Sequence, residues 1–142
     1  MTIFQRLQDF PFISLATGLR LLRIGTALLF AAHAIVRITH GTIPQFGKFM
    51  ESFGFPGGTV WVWAITITEI LAAVLLVTNR FVRPAAMALF MIAFTGIILI
   101  HRHFGWFVGE HGTGGSEYSV ALIIMLLVIA AADREDRANR AG

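Results

Sequence analysis

Four apolar stretches, Leu19–Ile38, Thr59–Thr78, Pro84–Ile100 and Tyr118–Ala132, recur along the chain and constrain its fold more than any other feature. A helix that crosses a bilayer needs about 17–25 predominantly apolar residues. The first three stretches meet that length, and the fourth reaches it if Gly114–Glu117 or Asp133 extends it through the interface. A chain of 142 residues is a single domain at roughly 100–200 residues per domain. Its charged fraction, 13%, is too small to cover a soluble globule of this size, whose charged share is typically about 25%. With 56% hydrophobic residues and a mean hydropathy of +0.76, the sequence reads as an integral membrane protein.

The expected architecture is all-α: an antiparallel four-helix transmembrane bundle with short interfacial helices, its spans at 19–38, 59–78, 84–100 and 118–132. Residues 1–18 read as an inner interfacial arm and 133–142 as a cytoplasmic tail that frays from the last helix. In the arm, Ile3, Phe4, Leu7 and Phe10 recur at helical spacing before Pro11. The arm does not read as a cleaved signal, because no small-residue cleavage site follows an apolar region. In the first outer connection Phe46, Phe49, Met50 and Phe53 repeat the helical spacing between Pro44 and the Gly54, Pro56, Gly57, Gly58 turn. That short helix either caps the outer mouth of the bundle or touches only lipid.

Basic residues set the expected orientation. Arg6, Arg20, Arg80, Arg83, Arg134, Arg137 and Arg140 fall on one side, and only Lys48 and Arg102 on the other, so both termini are expected in the cytoplasm. Trp61, Trp63 and Trp106 fall at the opposite interface, where indoles anchor helix ends. The net charge of +3 and the pI near 10.6 are thereby explained by orientation, and no basic groove or recognition helix can be drawn for a nucleic acid. The absence of cysteine excludes disulfides, thiolate metal sites, iron–sulfur clusters and thiol exchange by this chain.

Polar residues inside the spans carry the chemistry, since each costs at least about 2.5–3.5 kcal/mol when charged. On the first helix Arg23, Thr26, Phe30, His33, Arg37 and His40 share an arc of roughly 100°, opposite Ala27, Leu28, Ala31 and Ile35. Snorkelling would account for Arg23 and Arg37 individually, but alignment with the deeper His33 favours an inward face. Glu69 lies near the middle of the second span, where a carboxylate is protonated or paired, or merely ties two helices together. His33 is the polar group at similar depth and its expected partner. His101, His103, Glu110, His111, Glu117 and Tyr118 gather around the third connection, whose glycines read as turn formers and not as a phosphate loop. No metal or haem is expected. The Glu-x-x-His pairs of di-iron bundles are missing, and His33 and His101 differ in depth by about two turns.

Taken together, these residues resemble the DoxX family of small four-helix bacterial membrane proteins. The matching stretches are LLRIGTALLFAAHAIVRI (Leu21–Ile38), FGKFMESFGFP (Phe46–Pro56), ITEILAAVLLVTNRFVRPAA (Ile67–Ala86), and ILIHRHFGWFVG followed by GGSEYSVALII, which together span roughly Leu19–Asp133. Two departures stand out: Ala34 replaces a glycine common after the first histidine, and Ala72-Ala73 replaces a Gly-Gly step. The resemblance implies a membrane component of quinone-linked oxidoreductase systems, often an accessory subunit, with Arg23, His33, Arg37, Glu69, His101 and Glu117 as its polar site residues. The expected function is therefore binding of a quinone or similar hydrophobic molecule within the bundle, with Phe30 and Phe94 as apolar walls. A non-catalytic scaffold for a redox partner and a proton or solute pathway are the alternatives. The expected partners are the lipid bilayer and either a partner subunit or further copies of the chain.

Overall fold

The computed structural model describes Phe10, residues 12–109 and residues 114–142. The expected amphipathic arm at Ile3, Phe4 and Leu7, and also Glu110, His111 and Gly112, lie outside the described residues. What is described is helical, with no strand among the described residues.

Helix α1, Leu15–Thr39, starts four residues earlier than the apolar stretch because Ser14 caps it, its hydroxyl accepting from the Thr17 N–H at 3.1 Å. At its far end His40 folds back, with Nδ1 3.1 Å from the Val36 carbonyl, and Gly41 turns the chain at positive φ. Helix α2, Ile43–Ser52, opens on Pro44, whose missing N–H costs nothing in a first turn. Helix α3 is Gly58–Val77 and helix α4 is Val82–Leu99, with Pro84 tolerated in the first turn of α4. A short 3-10 turn, His101–Phe104, follows. Helix α5, Glu117–Ala141, takes in the expected tail, because Asp133 with Arg137 (2.9 Å) and Asp136 with Arg140 (2.8 Å) bridge successive turns and keep the helix wound.

Among the described residues three helices, α1, α3 and α4, are long and apolar enough to cross a membrane. Helix α5 is as long as α1, but Glu117 and the charges from Asp133 onward leave only its 118–132 segment apolar. The helices pack in pairs: α1 on α3 and α5, α4 on α3 and α5, and α2 on α3. Arg23 meets Asn79 at one end of α1 and Arg37 meets Thr66 towards the other, so α1 and α3 run antiparallel.

Small residues make these approaches possible. Ala27, Ala72, Ala73, Ala85 and Ala86 are buried between helices and form a core with Leu76, Leu89 and Leu126. Here the expected division of α1 needs correction. Ala27, assigned to the outer face, is completely buried, whereas Leu28 and Ile35 from the same set are exposed. The contact face of α1 is rotated towards its alanines because a methyl lets α3 approach where a leucine would hold it off.

Candidate functional site

Arg37 and Glu69 form the polar centre of the structure. One guanidinium nitrogen of Arg37, Nη1, donates to Glu69 Oε2 at 2.8 Å and to Thr66 Oγ1 at 2.7 Å, and the guanidinium carbon lies 5.5 Å from the centre of the Phe46 ring. Thr66 in turn donates to the Val62 carbonyl at 2.7 Å. Glu69 is 3% exposed, so this partner is what makes its burial tolerable. Snorkelling does not describe Arg37. Residues 58–65 of α3 extend outward of its contact with Thr66, about 12 Å of helix, and the arginine points into the interior.

The expected pairing of Glu69 with His33 is replaced by this one for a steric reason. Side chains on a helix lean towards its N-terminus, so a long arginine at position 37 reaches back to the level of residue 33. His33 instead faces Tyr118, with ring centroids 6.1 Å apart.

A cavity of about 510 Å³ opens beside the ion pair. His33, Arg37, Glu69, His101, Tyr118 and Ser119, with Thr95, supply its polar side chains. Phe30, Phe46, Met50, Phe55, Trp61 and Leu99 are among its apolar walls, while Phe94, expected as a wall, stacks on Phe90 at 6.0 Å and is not part of the lining. Two histidines that differ by about two turns in sequence-based depth are brought to one space here. The helix ends at Leu99, and the 3-10 turn beginning at His101 folds that imidazole over the cavity. Burial, reinforced by nearby His33, holds the His101 imidazole below the usual histidine range, so it is neutral at pH 7 and can donate one hydrogen bond and accept another.

Helix α2 closes one end of the cavity. Met50 and Ile43 are buried against Val62, and Phe46 lies over Arg37, so the short helix caps the cavity and does not float in lipid. Its seat depends on two glycines. A Cβ on Gly47 would come within 2.7 Å of the Thr59 backbone nitrogen, and one on Gly58 would overlap the Gly47 carbonyl. Glu51 completes the seat by accepting from the Gly58 N–H at 3.1 Å, an otherwise open donor at a helix start.

A protein-family model, DoxX, matches residues 18–102, which takes in α1 to α4 with Arg23, His33, Arg37, Glu69 and His101. The chain belongs to the DoxX family. With that membership and its three apolar helices it is a multi-pass membrane protein. No curated protein and no solved structure matches it. The DoxX match ends before Gly114–Ile124, so the expected family extent to Asp133 is shortened and Glu117 falls outside it.

The six expected DoxX site residues divide into three places. His33, Arg37, Glu69 and His101 line the one cavity. Glu117 clamps the preceding loop instead, its Oε1 accepting from the Val108 N–H at 2.9 Å, while Gly115 packs against the Trp106 and Phe107 carbonyls with no room for a side chain. Arg23 is about 21 Å away from Arg37 along α1 and donates to the Asn79 side chain. Asn79 carried no signal beyond a turn residue; Trp61 and Phe46 carried one, as an interface anchor and an amphipathic face, but not as cavity walls.

Proposed function

We propose that this DoxX protein binds a quinone, or a hydrophobic carbonyl compound of similar size, in the cavity beside Arg37, and does so as a membrane component of a redox system. The observation that carries this reading is a cavity of about 510 Å³ with mainly apolar walls and a half-buried arginine already fixed in place. Sites for small organic ligands span about 300–1,000 Å³ and combine such walls with a few placed polar groups. Arg37 uses Nη1 for Glu69 and Thr66, which leaves Nη2 and Nε without a protein acceptor among the described residues. A quinone oxygen is a suitable acceptor. On reduction it also needs protons, for which His33 and His101 stand at the same cavity. The catalytic partner and the electron donor would be supplied by another subunit.

The finer architecture belongs to the same proposal: α5 acts as the fourth span, completing an antiparallel four-helix bundle in the inner membrane of a bacterium with both termini in the cytoplasm. The packing of α5 on both α1 and α4 supports it. A proton or solute pathway is less well supported, because buried Thr26, Ala27 and Phe30 separate Arg23 from the His33–Arg37 set.

The test is quinone content after purification from native membranes, together with binding of added quinone. Wild type and the lipid-facing control Leu28→Ala should hold quinone at similar levels, and His33→Ala should hold less, on the order of tenfold for a lost hydrogen bond to a polar ligand. A wild-type protein that carries no quinone and binds none when it is supplied would overturn the reading and leave the scaffold role ahead.

A further inference from the structure

The end of the molecule remote from the cavity gathers Arg20, Arg23 and Arg140 around a cleft of about 230 Å³ between the start of α1, the α3–α4 turn and the end of α5. We propose that this cleft binds the phosphate group of an anionic phospholipid. Its carboxylates are already engaged: Asp133 pairs with Arg137 at 2.9 Å and Arg83 at 3.4 Å, and Asp136 with Arg140 at 2.8 Å. Arg20 and Arg23 have no carboxylate partner among the described residues. Arg23 is further committed, because Nη1 donates to the Asn79 amide oxygen, while its buried Nε has no acceptor among the described residues.

A guanidinium has donors only, and the Nη2 of Arg23 and the whole fork of Arg20, both residues lining the cleft, have no acceptor among the described residues. An anion answers both deficits at once, the open donors and the uncompensated charge, and a phosphodiester presents paired oxygens that match the guanidinium fork. A lipid is the source that fits the rest of the cleft. Leu19, Val82 and Ile129 line it beside the arginines and offer an apolar wall to the start of an acyl chain. The cleft also lies at the ends of membrane-length helices, at headgroup level, where basic pockets between helices hold anionic headgroups. This site is independent of the ligand proposed for the cavity at the other end.

The experiment uses the full chain in phosphatidylcholine nanodiscs, with thermal unfolding and native mass spectrometry as readouts. Phosphatidylglycerol should raise the unfolding temperature and remain bound through desolvation of the complex. Arg23→Gln should weaken that retention on the order of tenfold or more, as expected for a charge-assisted hydrogen bond. Arg20→Gln, which removes no side-chain bond among the described residues, should do the same without lowering the unfolding temperature in phosphatidylcholine alone. Arg134→Gln, at an exposed arginine outside the cleft, should respond as wild type. An unfolding temperature raised equally by inorganic phosphate would assign the cleft to a free anion and reject the lipid. Retention of phosphatidylglycerol unchanged in both Arg20→Gln and Arg23→Gln would reject the site.

Discussion

Among the described residues Glu69 has one ion-pair partner, Arg37, and the Thr66 hydroxyl is committed to the Val62 carbonyl. Removing that cation strands a buried carboxylate, whereas removing both charges leaves only a shape to fill. Arg37→Met should therefore destabilise the protein by about 3 kcal/mol or more, and Arg37→Met combined with Glu69→Leu should recover most of the loss. Unfolding of the single and double variants in one detergent checks this, and a double variant as unstable as Arg37→Met would contradict it. That Glu69 mattered was legible from one fact, a carboxylate eleven residues into a twenty-residue apolar stretch. Its partner was not legible from depth alone. Comparing positions along two helices matched Glu69 with His33, but a side chain's reach and lean decide which atoms meet, and those favour Arg37. Glu117 entered the expected site through the family resemblance, and what the structure adds is a contact no spacing shows: it accepts from the Val108 N–H of its own loop.

At the level of elements, the cap of the cavity is held by contact between backbones. Gly47 of α2 and Gly58 of α3 meet where any Cβ would intrude, and overpacking of this kind costs about 1–3 kcal/mol. Gly58→Ala should thus lift α2 from α3 and leave the pairing of α1, α4 and α5 in place. Met50 reports the displacement, because it is 3% exposed under α2 and the chain has no cysteine of its own. A Met50→Cys thiol should react slowly in the otherwise unaltered protein and on the order of tenfold faster in the Gly58→Ala background, as expected for a local opening made easier by 1–2 kcal/mol. Equal rates would show that the glycine contact does not hold the cap. The sequence identified α2 from its phenylalanine spacing and its bounding Pro44 and Gly54, which are local signals. It could not identify the seat. Gly57 and Gly58 look like any turn, and Gly47 acquires meaning only when the partner backbone is known.

For the whole molecule, helical class and the limits of α1, α3 and α4 were legible to within a few residues, because twenty-residue apolar runs leave a chain few choices in lipid. Helix α5 was harder, since charges that end an apolar stretch need not end a helix: ion pairs one turn apart carry it on to Ala141. The same charges give the molecule a direction. Arg23, Arg83, Arg137 and Arg140 gather at the end that holds the α3–α4 turn, and Trp61 and Trp63 stand near the start of α3 at the other. Translocating several arginines is opposed more strongly than translocating Lys48 and Arg102 alone, so the arginine-rich end should remain in the cytoplasm. Single cysteines introduced into this cysteine-free chain test that directly. In intact cells an impermeant thiol reagent should label Gly57→Cys and leave Arg80→Cys unlabelled until the membrane is opened. A helix count of three would place the C-terminus on the side opposite the start of α1, whereas α5 as a fourth span returns it to the cytoplasm. Ala138→Cys, in the last turns of α5, should accordingly follow Arg80→Cys in its protection, and its labelling in intact cells would remove α5 from the membrane.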